Sequence, residues 1–272
     1  MEFIGYLAAC LMGIVLGVIG GGGSILTVPI LVYLMGVAPD TATGYSLLIV
    51  GLTAAFGAIR YFRQGLIDVP ASLAFAAPSI AAVYLTRAFL MPNIPDQLMT
   101  SPFVISKNVA IMVFFALLML SSAALMLKKA YKQQKADAAG ETPDATDENA
   151  KTNWPLIMLE GAVVGIVTGI LGAGGGFLII PALVLFMGMP MQKAVGASLF
   201  IIALKSLIGF IGDIQAGIEI AMPMIPLMLV ATFIGMFLST SIASKLDSKS
   251  LQKIFAYFTL VIAIVIITKE LL

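Results

Sequence analysis

Apolar residues run along this chain in long segments, and polar residues gather between the segments rather than alternating within them. A helix needs roughly 20 residues to cross a bilayer. Six segments reach that length: Thr41–Tyr61, Val69–Met91, Phe103–Leu127, Met191–Ile211, Ile218–Ser244 and Lys249–Leu271. A barrel strand would show apolar and polar residues alternating over about ten residues. The pattern therefore predicts an all-α polytopic membrane protein.

Two further apolar regions are interrupted by glycine. Helices predicted over Phe3–Ile19 and Trp154–Leu171 each run into a glycine cluster, and a short segment follows each cluster, Ser24–Met35 and Gly176–Met187. These segments are too short to cross alone, and glycine costs a helix roughly 1 kcal/mol per interior position relative to alanine. We predict a re-entrant helical hairpin bent at each cluster, with three long transmembrane helices after it in each half. If the short segments cross instead, each half crosses five times rather than three.

The two halves of the chain repeat each other at a constant offset of 152 residues. From Gly20 to Gly65, aligned without a gap on the second half, 18 of 46 positions are identical. Many matches fall on residue types that apolar bias does not produce: Gly20/Gly172, Gly22/Gly174, Gly23/Gly175, Pro29/Pro181, Gly36/Gly188, Gly44/Gly196, Ser46/Ser198, Gly57/Gly209 and Gly65/Gly217. An internal duplication follows. Because both crossing counts are odd, the second repeat is predicted to be inverted relative to the first.

A parallel repeat is the alternative arrangement. It requires an even number of crossings, with one broken span before the three long segments of each half. We disfavour it because residues 3–35 are too many for one crossing.

One stretch of the chain looks soluble. Residues 128–153 are rich in charge and poor in apolar side chains, and we predict a flexible linker between a first repeat, 1–127, and a second repeat, 154–272. Basic residues indicate the orientation. A cytoplasmic linker puts 11 of the 15 Lys and Arg inside, and the predicted outer loops GVAPD, PNIPDQLMTSP and GDIQAG then contain none. Both termini are predicted to lie outside.

Composition agrees with a membrane protein and excludes several function classes. The 272 residues are 60% hydrophobic and 11% charged, against about 25% charged residues in a soluble domain. A net charge of +1 gives no reason to expect a nucleic-acid partner. One cysteine and no histidine make no metal-ligand cluster, and no nucleophile–base pair or cofactor motif is visible. We predict that the protein is not an enzyme and holds no cofactor or metal.

The glycine clusters form the main candidate site. Interrupted helices in inverted repeats are a transporter architecture, with the substrate near the bilayer midplane. Free N–H groups at the start of a half-helix bind anions without a basic side chain, and we predict such starts at Ser24 and Gly176. The predicted substrate contacts are Gly20, Gly21, Gly22, Gly23, Ser24, Thr27, Gly172, Gly174, Gly175 and Gly176. Close helix packing is the alternative, and it is the preferred interpretation for Gly13, Gly17, Gly165 and Gly169.

Lys205 is the basic residue placed deepest within a predicted membrane segment. Its repeat equivalent is Thr53, so the two halves differ at this position. Ionisable residues at such depth are usually functional or paired. The functional interpretation is a cationic anchor for an anionic substrate, and the alternative is a structural ion pair with Glu160 or Asp213.

Three further polar residues are candidates for contact with the substrate. Arg87 lies near the outer end of its segment, and we predict that it snorkels to the surface, with a role on the entry path as the alternative. Ser46 and Ser198 are repeat equivalents that follow the short segments. They either donate hydrogen bonds to the ligand or bond back to a helix carbonyl.

The sequence motifs resemble a known family. GAGGGFLIIPALVLFMGMPMQKAVGASL in the second half is repeated in the first as GGGGSILTVPILVYLMGVAPDTATGYSL. Over essentially the whole chain this resembles the sulfite exporter TauE/SafE family of bacterial and archaeal membrane permeases. The resemblance implies transport of sulfite, sulfoacetate or another organosulfonate or sulfur oxyanion across the cell (inner) membrane. The segment AAVYLTRAFL around Arg87 is bulkier than the Gly-containing helix of many members, so fine specificity does not transfer.

Together these features predict a secondary transporter of a small anion, with alternating access around a midplane site. An anion channel on the same scaffold and a non-transporting membrane assembly protein are the alternatives. The expected partners are the anion and the lipid bilayer. A proton or sodium ion as coupling ion, and a homodimer, stay open at this point.

Overall fold

The computed structural model describes residues 2–94, 97–99, 105–138, 154–171, 175–185, 187–243 and 248–271. The first half contains α1 (Glu2–Ile19), a 3-10 turn (Gly21–Gly23), α2 (Ser24–Pro29) continued by a π-helical turn (Ile30–Leu34), α3 (Pro39–Arg63), α4 (Val69–Leu85) continued by a π-helical turn (Thr86–Leu90), α5 (Met91–Asn93), the strands β1 (Gln97–Met99) and β2 (Ile105–Ser106), and α6 (Lys107–Ala138). The second half contains α7 (Trp154–Leu171), α8 (Gly176–Leu185), α9 (Met191–Gln215), α10 (Met224–Ala243) and α11 (Ser248–Leu271).

The long helices form where the apolar segments predict them. Within the described residues, five helices are long and apolar enough to cross a membrane, namely α3, α4 with its extension, α6, α9 and α11. The prediction of a helical polytopic membrane protein is therefore confirmed. The short antiparallel ladder of β1 and β2 is an addition that the apolar pattern did not predict.

The largest departures from the predicted boundaries are at the end of α6 and the start of α10. Helix α6 continues to Ala138, past the predicted start of the linker at Lys128, because Lys, Gln and Ala favour helix even where they are too polar for a membrane span. The remaining predicted linker residues, 139–153, lie outside the described residues. Helix α10 begins at Met224 rather than Ile218, directly after Pro223, which cannot continue a preceding helix but suits the start of one.

The first short segment turns back along α1. A methyl group built on Gly5, near the start of α1, would collide with the side chain of Met35, just beyond the π-helical turn after α2. The end of the short segment therefore lies beside the start of α1. The chain thus forms a helical hairpin that bends at the glycine cluster, a geometry common to the re-entrant and the crossing interpretations.

The repeat is visible in the backbone as well as in the sequence. Left-handed glycines recur at the 152-residue offset, as Gly36 (φ 70°) with Gly188 (φ 65°) and as Gly65 (φ 70°) with Gly217 (φ 88°). Glycine accepts this conformation without strain. Turn hydrogen bonds between backbone N–H and C=O groups recur in the same way: Val37–Leu31 with Met189–Leu183, and Leu66–Tyr61 with Ile218–Asp213. The two halves thus share their turn geometry.

Glycines on α1 allow close contact with α10. A methyl group on Gly13 would collide with the backbone at Thr232, and one on Gly17 would collide with Ser239. Small residues let two membrane helices approach closely enough for backbone contact. The packing interpretation therefore fits these two glycines.

The corresponding contact in the second repeat joins α7 to α4. A methyl group on Gly165 would meet the backbone at Ser79, and one on Gly169 would meet Thr86. With Pro70 aligned on Pro223, Ser79 and Thr86 match Thr232 and Ser239 of α10. Each repeat therefore packs its first helix against the other repeat in the same way.

Helices α3 and α9 are repeat equivalents and pack against each other in antiparallel orientation. Gly44, near the start of α3, faces Asp213, near the end of α9. Gly57, near the end of α3, faces Leu199, near the start of α9. Repeats of the same orientation would place equivalent helices parallel to each other. The antiparallel pair favours the inverted interpretation.

Candidate functional site

The two glycine turns meet backbone to backbone. A methyl group on Gly21 would overlap the α-carbon of Gly176, and the reverse also holds. The chain turns through left-handed residues nearby, Gly20 (φ 72°) and Gly175 (φ 78°). Helix α2 begins at Ser24 and α8 at Gly176, as predicted. The starts of both short helices are therefore close together.

Lys205 lies against the second glycine turn. Its side chain is fully buried on α9, and Nζ donates a 2.7 Å hydrogen bond to Thr168 Oγ1 on α7. A methyl group on Gly175 would lie 2.5 Å from Nζ. An ammonium has three donors, of which Thr168 accepts one.

No carboxylate among the described residues forms an ion pair with Lys205. The alternative of a structural pair with Glu160 or Asp213 is therefore wrong for the described part of the chain. Asp213 pairs with another cation, and the hydroxyl of Thr168 is the polar partner of Lys205. Within the described part of the chain, the ammonium of Lys205 therefore has no counter-charge.

The first repeat has no such charge at the equivalent place. Leu16 stands where the second repeat has Thr168, and Thr53 stands where it has Lys205. The hydroxyl groups of Thr53 and Thr232 share a 2.8 Å hydrogen bond. The polar cluster at the glycine turns is therefore asymmetric, with its charge contributed by the second repeat.

Two of the predicted serines bond to nearby backbone. Ser198 Oγ lies 2.8 Å from a methyl group built on Gly20 and donates to the carbonyl of Val195 at 2.8 Å. Ser24 Oγ donates to the carbonyl of Gly21 at 2.6 Å. Both serines lie at the first glycine turn. The structure shows the back-bonding alternative for Ser198, which leaves its oxygen able to accept a further hydrogen bond.

Two other predicted hydroxyls are buried and have no partner among the described residues. Ser46 Oγ and Thr27 Oγ1 are inaccessible to solvent, and neither forms a hydrogen bond there. Buried hydroxyl groups are normally bonded, and each exception needs an explanation. A ligand bound between the repeats would provide one.

Arg87 does not snorkel, so that prediction is wrong. Its side chain is 2% exposed, and Nη1 lies 3.4 Å from Asp213 Oδ1. Asp213 compensates the charge within the protein, so the guanidinium has no need to reach the surface. Asp213 lies eight residues beyond Lys205 on α9, about 12 Å along the helix. Arg87 therefore belongs to a separate cluster at the end of α9.

A cavity of about 120 Å³, which we call the vestibule, lies at the end of the α3–α9 pair that is opposite to Asp213. Its lining includes Gly17, Arg60, Tyr61, Gln64, Gln192 and Ser239. Tyr61 Oη donates to the carbonyl of Gly17 at 3.1 Å. Gln64 is exposed, so the vestibule reaches the surface. Its lining also includes Gly17, which precedes Gly20 by three positions in the chain. Lys205 is not part of its lining.

Several of the residues predicted from the sequence lie together in the structure, and Thr168 joins them. The structure brings Gly21, Gly176 and Lys205 into one region, and Gly22 lies in the 3-10 turn. Gly172 and Gly174 lie outside the described residues. Thr168 was missed, although the repeat alignment carries a signal, since it is a polar residue opposite an apolar one.

Comparison with known proteins identifies the family. The family model of the sulfite exporter TauE/SafE matches residues 5–266. The chain belongs to the sulfite exporter TauE/SafE family. This TauE/SafE chain is therefore a multi-pass membrane transporter, and the prediction that it is not an enzyme is confirmed.

Curated relatives carry the same general description. A probable membrane transporter protein of Xylella fastidiosa is 28% identical over 96% of this chain and 92% of the relative. A probable membrane transporter protein of Bacillus subtilis is 27% identical over 78% of this chain and 79% of the relative. One of Methanocaldococcus jannaschii is 25% identical over 89% of this chain and 88% of the relative. No solved structure matches the chain.

Proposed function

We propose that this TauE/SafE protein is a secondary transporter of a small anion, namely sulfite or a small organosulfonate such as sulfoacetate. In this proposal the anion binds where the two glycine turns meet, and the site opens alternately to the two sides of the membrane. One observation carries the proposal. Lys205 is fully buried beside the second turn with a hydroxyl partner and no carboxylate among the described residues.

A buried ammonium without a counter-charge favours an anionic ligand. Burying an ion costs several kcal/mol unless an opposite charge and hydrogen bonds compensate it. A bound anion would supply that charge and accept the ammonium donors that Thr168 leaves free. The N-terminus of α8 begins at Gly176, next to Lys205, and helix N-termini also favour anions. The same region therefore offers charge and backbone donors to an oxyanion.

The two repeats support the alternating part of the proposal. Equivalent helices α3 and α9 run antiparallel in contact, as expected of inverted repeats that rock around a central site. We place the linker in the cytoplasm and the chain in the inner membrane of a bacterial or archaeal cell, following the distribution of Lys and Arg. A proton or sodium gradient would drive transport.

Uptake by the purified protein tests the proposal. The protein is reconstituted into liposomes, and entry of radiolabelled sulfite and sulfoacetate is measured with and without a proton or sodium gradient. Uptake of one of the two is expected in the parent protein, and Lys205→Met should reduce it at least about tenfold, since a charged hydrogen bond contributes about 1.5–3 kcal/mol.

A matched control separates the site from general effects of charge. Lys193 is exposed on the same helix, so Lys193→Met should keep uptake within about twofold of the parent. Absence of uptake for both anions would refute the substrate class. Equal loss in the two lysine variants would refute the site.

The channel alternative has a kinetic signature. Alternating access involves collective motions on the μs–ms timescale, so flux above about 10⁵ ions per second per protein would indicate a channel. The same liposomes give this number from the initial rate and the protein content.

A further inference from the structure

The two ends of the α3–α9 pair are repeat equivalents but differ in openness. At the 152-residue offset, Arg60 and Tyr61 of α3 correspond to Gly212 and Asp213 of α9. Arg60 and Tyr61 are half-buried and line the vestibule. Gly212 and Asp213 are buried, because α4 covers them.

The π-helical turn that follows α4 seals the end at Asp213. A methyl group on Gly212 would lie 3.1 Å from Arg87 Cβ and 3.2 Å from the backbone nitrogen of Ala88. The guanidinium of Arg87 reaches Asp213 across this contact, with a 3.4 Å separation between Nη1 and Oδ1. The ion pair therefore fills the place that corresponds to the vestibule in the other half.

Two further hydrogen bonds close the same end. Tyr84 Oη on α4 donates to Gln215 Oε1 on α9 at 2.7 Å. Tyr45 Oη on α3 donates to the carbonyl of Glu219, beyond the end of α9, at 2.6 Å. Polar contacts at this end thus join α4 to α9, and α3 to the segment after α9, whereas the other end holds a cavity.

The ion pair itself is poorly saturated. Nε and Nη2 of Arg87 and Oδ2 of Asp213 are buried without hydrogen-bond partners among the described residues. A buried pair of this kind contributes little net stability compared with apolar residues of similar volume, although loss of one partner is strongly destabilising. Fold stability alone is therefore a weak reason for its presence, and separation into water would satisfy all three free atoms.

We propose that the Arg87–Asp213 pair is the gate at the end opposite to the vestibule, and that it separates when the central site opens to that side. This inference rests on the proposed transport function. In the structure the vestibule end is open and the gate end is closed. Arg87 and Asp213 are positioning residues in this step, because they hold the extension of α4 against α9, and Asp213 lies about 12 Å from Lys205 along α9.

Cysteine labelling at both ends tests the gate without any substrate. The native Cys10 is replaced by serine in the full-length protein, which is placed in lipid nanodiscs. One reporter is Thr86→Cys, a change to a slightly smaller side chain at a buried position of the gate end. The other is Gln192→Cys, at an exposed position of the vestibule. The rate of reaction with a charged thiosulfonate reagent is measured for each.

Removal of the ion pair should exchange the accessibility of the two ends. With Asp213→Asn, labelling of the Thr86→Cys reporter should rise at least about tenfold, equivalent to about 1.4 kcal/mol lost from the closed state. Labelling of the Gln192→Cys reporter should fall, because one end closes as the other opens. The double variant Arg87→Gln/Asp213→Asn should respond in the same way, and it leaves no unpaired charge to destabilise the fold.

Glu219→Gln is the matched control. It removes one negative charge at the same end, from an exposed side chain, and keeps the backbone carbonyl that accepts from Tyr45. Both labelling rates should therefore be unchanged. Unchanged labelling of the Thr86→Cys reporter in the double variant would overturn the gate. Faster labelling of both reporters would also overturn it, because the pair would then hold the fold together at large.

The outcome is separable from that of the transport assay. Labelling requires no substrate, so the gate is supported by exchanged accessibility even if neither sulfite nor sulfoacetate is transported. Conversely, uptake of sulfite with unchanged reporter labelling would uphold the proposed function and refute the gate.

Discussion

Two residues give the polar cluster at the glycine turns its charge and its hydroxyl group. Thr168 and Lys205 of the second repeat stand opposite Leu16 and Thr53 of the first. The two repeats therefore differ in side-chain charge at this place, and the proposed anion site depends on that difference. The hydroxyl of Thr168 holds the ammonium at 2.7 Å, beside the second glycine turn.

Thr168→Val should lower sulfite or sulfoacetate uptake by about tenfold or more. Valine keeps the shape of threonine but removes the acceptor of a hydrogen bond from a charged donor, which contributes about 1.5–3 kcal/mol. Initial uptake rates in liposomes, normalised to folded protein, measure the effect.

Thr53→Val serves as the matched control for that experiment. It removes a buried hydroxyl of the first repeat, at the position equivalent to Lys205, and the partner of that hydroxyl, Thr232, is neutral. Uptake should therefore stay within about twofold of the parent. Equal losses in the two valine variants would contradict the assignment of the charge-bearing cluster to the second repeat.

Among the elements, the two glycine turns have the tightest geometric demand. Gly21 and Gly176 meet with no room for a methyl group on either side. Gly65, in contrast, has open space around it but a left-handed φ of 70°. The chain therefore offers one glycine that is constrained by a neighbouring backbone and one that is constrained by its own conformation.

Gly21→Ala should destabilise the protein more than Gly65→Ala. Alanine in the left-handed region costs roughly 1–2 kcal/mol, whereas a methyl group at Gly21 must push the backbone of α8 away from its place. Thermal unfolding of the purified variants, followed by intrinsic fluorescence, gives the comparison. A smaller loss of thermal stability in Gly21→Ala than in Gly65→Ala would contradict the observed contact between the turns.

The sequence predicts the elements well because their causes are local. Apolar length sets the helices, and the glycine clusters set the starts of α2 and α8 at Ser24 and Gly176. The Arg87–Asp213 pair was not predictable in this way. The two residues are 126 positions apart, and their meeting depends on how α4 packs on α9, which no periodicity in either helix encodes.

The molecule as a whole is organised by contacts between the repeats. Helix α1 packs on α10, α7 packs on α4, and α3 packs antiparallel on α9. An offset of 152 residues, which becomes 153 from Pro70 and Pro223 onward, relates these contacts, although the sequence alone could not say which helices touch. The proposed orientation of the repeats has a testable consequence for the topology of the chain in a cell.

Cysteines placed in the linker and in the predicted outer region should be labelled from opposite sides. With Cys10 replaced by serine, Ala145→Cys is expected to react with an impermeant maleimide only after the cells are permeabilised, whereas Asn93→Cys should react in intact cells. The expectation follows from the excess of Lys and Arg around the linker. Labelling of both sites in intact cells would contradict the proposed orientation.

The closed end at Asp213 also affects the equilibrium between the two end-open states. A protein made of two identical inverted repeats would populate its two end-open states equally, because exchanging the repeats would convert one state into the other. Each difference between the repeats shifts that equilibrium, and a tenfold shift requires only about 1.4 kcal/mol. The repeat equivalents of Arg87 and Asp213 are Thr240 and Tyr61, so the ion pair exists at one end only. The Arg87–Asp213 pair, and not the binding site, would then determine the resting populations of the two states.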